Sequence, residues 1–182
     1  MFRLLALLLL PLVLLGCAHT HAMESWCASQ GGCLQGCRCV RLQNVASQFA
    51  WAGLDAQRLH VLDSTSVGAY SWPSGDVYVT AGLMDRVDDE ELAAALTHEM
   101  GHLVDEYRML SPVGLSGNGG GVGNDVEMQA DAIAVQLLRH NHISPDALIS
   151  VLQITARQEP GLKHAIEARI AALRVSSPKP GT

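Results

Sequence analysis

The stretch from Asp88 to Met109, DDEELAAALTHEMGHLVDEYRM, constrains the fold more than any other part of the chain. It predicts one helix. Asp88 is placed to cap the N-terminus, with Glu91 as its reciprocal partner and further acid in the first turn, where the helix dipole favours it. Leu92, Ala95, Leu96, Glu99, Leu103 and Glu106 follow helical spacing, so the inward face runs through the His98-Glu99-Met100-Gly101-His102 segment. Positions i and i+4 share a face, about 6 Å apart along the axis. Two imidazoles so placed can share one tetrahedral zinc ion, and Glu99 between them can reach water at the metal.

Two histidines on a half-buried helix face would produce the same five letters without any metal, so a third ligand is needed. Glu127-Met128-Gln129-Ala130-Asp131 offers one on a second predicted helix, capped by Asn124, with Ile133, Ala134, Leu137 and Leu138 as its apolar face. Glu127 and Asp131 are again an i, i+4 pair. One carboxylate can bind the metal while the other accepts the free N–H of a ligating histidine and fixes its tautomer. The competing reading is two solvated acids near a helix start.

Taken together, His98-Glu99-x-x-His102 and Glu127-x-x-Ala130-Asp131 resemble the HtpX-like M48 zinc metallopeptidases, of the gluzincin type. Gly75 to Leu83 and Asp89 to Leu96 are similar to that family's strand, Gly-Leu turn and motif helix. Lys163 to Ile170 is similar to its C-terminal "HP…RI" element, although Ala165 stands where that element has proline. The similarity covers roughly residues 55–173. It implies an α+β, zincin-like fold with one Zn2+ per chain held by His98, His102 and Glu127. Glu99 would then be the general base and Asp131 would orient a ligand. It also implies an endopeptidase acting on unfolded or misassembled envelope proteins.

The N-terminus carries Arg3 and then an apolar run from Leu4 to Leu15. That run is short for a membrane-spanning helix, which needs about 20 residues, and fits a signal-peptide core over residues 1–16. Leu14-Leu15-Gly16-Cys17 resembles the bacterial lipobox, which implies acylation of Cys17. Ala18 in place of aspartate implies sorting to the periplasmic face of the outer membrane of a Gram-negative bacterium. Secretion without an anchor is the alternative. Cys27, Cys33, Cys37 and Cys39 follow within the segment 17–42. Four cysteines in an exported chain predict two disulfides of undetermined pairing, against a second, structural zinc site of unusual spacing.

Over residues 43–175 the resemblance implies the metallopeptidase domain itself. Gln43 to Arg58 reads as a packing helix, and Leu59–Leu62, Gly68–Trp72 and Asp76–Thr80 as strands. The expected result is a mainly helical chain with a small antiparallel sheet. Val77, Tyr78, Val79 and Thr80 are the expected edge strand, on which the resemblance implies that an extended substrate adds as a further strand, unless the strand serves only the core. Residues 111–123 hold six glycines among thirteen residues, and lid and plain linker are equally open there. His140 and His142 fall near a helix C-terminus. Ser144-Pro145-Asp146 opens another helix. On the last one His164 and Arg169 could approach the metal, stabilising an oxyanion or regulating access, or could form a plain surface. Residues 176–182 read as an unfolded tail.

The formal net charge is −6, and it becomes −7 once Arg3 is removed with the signal. An acidic chain without basic runs excludes nucleic acid as an expected partner. The expected partners are unfolded protein or peptide, and the membrane through the lipid anchor. A zinc-binding chaperone or assembly factor with little proteolysis is the second functional reading, with His164 or the 111–123 loop closing the metal's fourth position. A purely structural zinc domain is the third, and it would have no use for Glu99.

Overall fold

A computed structural model describes residues 25–48, 56–72, 74–109 and 124–176. The expected signal peptide, Cys17, the 111–123 glycine-rich stretch and residues 177–182 lie outside the described residues.

Helical residues 25–29 (α1) lead into β1 (Cys33–Leu34) and α2 (Cys37–Gln48). A 3-10 turn, Ala56–Arg58, precedes β2 (Leu59–Leu62), β3 (Ala69–Ser71) and β4 (Val77–Thr80). The short α3 (Ala81–Met84) follows, then α4 (Asp89–Met109), α5 (Asn124–His140), α6 (Asp146–Gln158), the 3-10 turn Pro160–Leu162 and α7 (Lys163–Ser176). The α+β class is therefore as expected.

The sheet departs from expectation. Its order is β1-β2-β4-β3, with β2 and β4 parallel and the outer pairs antiparallel. It is mixed, and β4 is a central strand. Val77 to Thr80 therefore cannot serve as the edge that receives a substrate, because β2 and β3 take both of its backbone edges. The cause is in the residues: all four positions of β4 are buried, which is the pattern of a strand covered on both faces. The edge beside α4 is β3, joined to β4 by a tight turn in which Gly75 takes a positive φ of 88°.

The helix expected over Gln43 to Arg58 begins earlier and is α2, with Leu42, Val45 and Ala46 buried against β2 and α4. Arg41 on α2 donates to Asp89 Oδ1 at 2.8 Å, to Met84 O and to Val87 O, which ties the start of α4 to the end of α3. The expected reciprocal cap is present: Glu91 N donates to Asp88 Oδ1 at 2.8 Å, and Asp88 N to Glu91 Oε2 at 2.9 Å. Between Leu92 and Thr97 every residue of α4 is buried, not one face alone. Three consecutive alanines let α2, α5, α6 and the sheet approach from all sides, so α4 is the axis of the molecule.

The cysteines also differ from expectation. Cys27 and Cys33 form one disulfide, whereas Cys37 and Cys39 are free thiols. Residues two apart on a helix point away from each other, so the α2 pair cannot close on itself. Cys39 Sγ instead donates to Leu34 O at 2.9 Å.

Candidate metal centre

Two helices build the site. On α4, His98 and His102 lie one turn apart with their Nε2 atoms 3.2 Å from each other. On α5, Glu127 and Asp131 face them. Gly101 makes this approach feasible, since a Cβ there would stand 2.7 Å from Ala130 O and 2.8 Å from Ala130 Cα. The backbone of α5 crosses where that side chain would be.

Glu127 Oε2 lies 3.3 Å from His98 Nε2, and Glu127 Oε1 lies 3.5 Å from His102 Nε2. Zinc ligands about 2.0–2.2 Å from a tetrahedral centre stand roughly 3.3–3.6 Å from one another. The three side chains therefore fit zinc in chemistry and in spacing, and among the described residues they are the one such group of three. His98 Nδ1 donates to Asp131 Oδ1 at 3.0 Å. That bond keeps the proton on Nδ1 and leaves the Nε2 lone pair facing Glu127 and His102, as a metal ligand requires.

Arg169, on α7, holds both carboxylates of α5. Its Nη1 lies 2.7 Å from Glu127 Oε2, its Nη2 donates to Asp131 Oδ1 at 2.7 Å and its Nε to Asp131 Oδ2 at 2.8 Å. Arg169 and Asp131 are only 8 % and 2 % exposed. An arginine fork suits this task because it presents several donors in one plane. His164 does not join them: it is exposed, and none of the described contacts links it to the cluster. The reason is helical phase. Ile166, Arg169, Ile170 and Leu173 turn inward together, and a residue five positions before Arg169 sits about 140° away around the helix.

Electrostatics show what the cluster wants. Burial would lower the pKa of His98, but hydrogen bonds to Asp131 and Glu127 and the charge of Glu99 prevail and push it up to about 9. Glu127 is held below the usual carboxylate range, chiefly by its bond to His98, against the opposing effect of burial. For Asp131 burial acts upward, and Arg169 and His98 together overcome it and lower the pKa. Three acids converge on this space, so a positive charge belongs there, whether a proton or a metal ion. Glu99 is 7 % exposed, and among the described residues its side chain has no hydrogen-bond partner.

Two features were not apparent from sequence. The sequence leaves Arg169 open between a place near the metal and a plain helix surface, and its simultaneous hold on Glu127 and Asp131 is seen only in the fold. Tyr70 is the second: it lies on the edge strand that packs against α4, and burial, then the charges of Glu159 and Glu99, raise its phenol pKa. Only the strand order could reveal it.

Residues 40–117 match the family model of Peptidase family M48. That stretch includes the whole of α4 and stops before Glu127, so it does not cover the candidate ligand on α5. No curated protein matches the chain.

Proposed function

We propose that this chain, which matches the model of Peptidase family M48 over residues 40–117, is a zinc-dependent endopeptidase of that family that hydrolyses peptide bonds in unfolded or misassembled envelope proteins. The observation that carries this reading is the tetrahedral spacing of His98, His102 and Glu127 beside the buried Glu99. The chemistry zinc supplies when bound is Lewis-acid polarisation of a peptide carbonyl and acidification of water to near neutral pH.

The protein's own groups do the rest. His98 and His102 present Nε2, Glu127 presents a carboxylate oxygen, and Asp131 holds the Nδ1 proton of His98 in place. Glu99 accepts a proton from the attacking water as general base and returns it to the departing amine as general acid. Arg169 keeps the two α5 carboxylates from drifting apart as charge changes beside them. The substrate backbone is received by β3: Ala69 and Ser71 point their N–H and C=O groups away from β4, because Gly68 and Trp72 are bonded inward on either side. Acylation of Cys17, read from the sequence, would hold the enzyme at the outer membrane. A Cys17→Ala chain should then leave the membrane fraction.

The test compares the full chain with Glu99→Gln for zinc content and casein cleavage. Both should bind about one zinc, and cleavage should fall about 10²–10⁴-fold in the variant. Zinc in both with cleavage in neither would move the reading to a zinc-binding chaperone. No zinc in either would sink the metallopeptidase assignment.

A further inference from the structure

The outer face of the sheet, opposite α4, carries a cluster of aromatic rings. Trp26 from α1 meets Tyr70, Trp72 and Tyr78 edge-on at centroid distances of 5.7, 5.5 and 4.9 Å. His60 stacks on Tyr78 at 4.7 Å. Leu62, Tyr78 and the disulfide-bonded Cys27 are buried beneath them. Much of this is a small satellite core, and Tyr78, 2 % exposed, belongs wholly to it.

Tyr70 does not. It is 39 % exposed and sits on the edge strand, directly across from Tyr78 in register. Gly68, two residues earlier on the same face, leaves room for its ring: a Cβ on Gly68 would lie 2.7 Å from the Tyr70 hydroxyl. The ring is therefore fixed between Gly68 and Trp26, with its remaining surface turned outward.

Strand parity gives that surface a use. Tyr70 bonds inward to β4, so a peptide adding antiparallel to β3 would exchange hydrogen bonds with Ala69 and Ser71. The residue opposite Tyr70 would then occupy a non-hydrogen-bonded pair, with Cα atoms about 4.5 Å apart and side chains at their closest. β3 packs against α4, the helix that carries Glu99, so a peptide paired with β3 would run alongside that helix.

We propose that Tyr70, backed by Trp26 and Trp72, is a specificity-determining residue that selects an aromatic side chain in the peptide paired with β3. The inference rests on the peptidase reading for its substrate class and deepens it. The site discriminates for the aromatic residues that folded proteins bury and unfolded ones expose. Flexible polar segments would bind poorly.

The test uses the full chain carrying Glu99→Gln, loaded with zinc, and extended peptides that differ only by Phe or Ser at one scanned position. Anisotropy should show the best Phe peptide binding about five- to tenfold tighter than its Ser counterpart. Tyr70→Phe should keep that ratio. Tyr70→Thr, which retains a β-forming residue, should bring it close to one. An unchanged ratio in Tyr70→Thr, or no ratio in the parent, overturns the proposal. Should Tyr70→Thr fail to fold, a peptide with benzoylphenylalanine at the same position decides the matter. Photolabelling confined to residues 25–34 and 68–72 supports it, and labelling elsewhere overturns it. Cleavage by the wild type is followed in parallel. Equal cutting of both peptides leaves the peptidase reading intact and removes this one. A Tyr70-dependent ratio without cutting does the reverse.

Discussion

At the scale of single residues, Arg169 is the group on which the centre depends without itself being a ligand. Two acids lie against its guanidinium, and one of them, Asp131, is buried. Arg169→Ala would remove the guanidinium that pairs with both and leave His98 as their remaining neighbour of positive charge, and the expected cost is about 3 kcal/mol in stability. Because Glu127 and Asp131 also position the metal-binding atoms, zinc affinity should fall by about 10–100-fold. Arg169→Lys should recover part of the stability and little of the affinity, since one ammonium cannot hold two carboxylates in the required plane. Thermal melts and zinc titration against a chelator measure both effects. An Arg169→Ala protein with undiminished affinity would show that the clasp is only structural.

At the scale of elements, the contact between α4 and α5 is decided by Gly101. Helix propensity alone predicts that Gly101→Ala stabilises the protein by roughly 1 kcal/mol. The geometry predicts the opposite sign, because the new methyl would run into the backbone of Ala130. The helix α5 must then move outward, carrying Glu127, one turn before Ala130, away from both histidines. The expected loss is about 1–3 kcal/mol in stability, with weakened zinc binding. Denaturant melts with and without zinc check this, and a stabilised variant would contradict the close crossing. The same scale explains the misplaced edge strand. The expected strands exist near their expected residues, but the second of them, β3, pairs outside the third, β4, and takes the edge.

At the scale of the whole molecule, protons and the proposed zinc ion would compete for one site. The pKa of His98 rises from 6.5 to about 9 on folding, despite the opposing effect of burial. Its contribution to stability is therefore complete below about pH 6.5 and is lost as pH rises through about 9. Glu127 and Asp131 are lowered from 4.5 and 3.8, so their contribution is present above those values and disappears as pH falls through the folded-state ones. Metal-free protein should accordingly be most stable between about pH 5 and 7 and lose Tm towards pH 9. Zinc requires His98 without its Nε2 proton, so its stabilising effect should grow over the same rise. Melting curves from pH 5.5 to 9.5, with zinc and with chelator, should diverge. A constant gap between them would mean that His98 is not a ligand.

The features readable from the chain alone were those set by local geometry. A helical repeat of 3.6 residues places His98 beside His102 and Glu127 beside Asp131 wherever those helices lie. The Asp88–Glu91 cap, the strands and the apolar faces likewise need only neighbouring residues. Tertiary structure decided what depends on residues far apart in sequence. It placed β4 inside the sheet and β3 at its edge, joined Cys27 to Cys33 alone, and turned Arg169 inward while His164 faced solvent. It also gave Gly101 its purpose and put Tyr70 on the sheet edge next to α4. Periodicity states which face of an element is apolar, whereas only packing determines which other element that face meets.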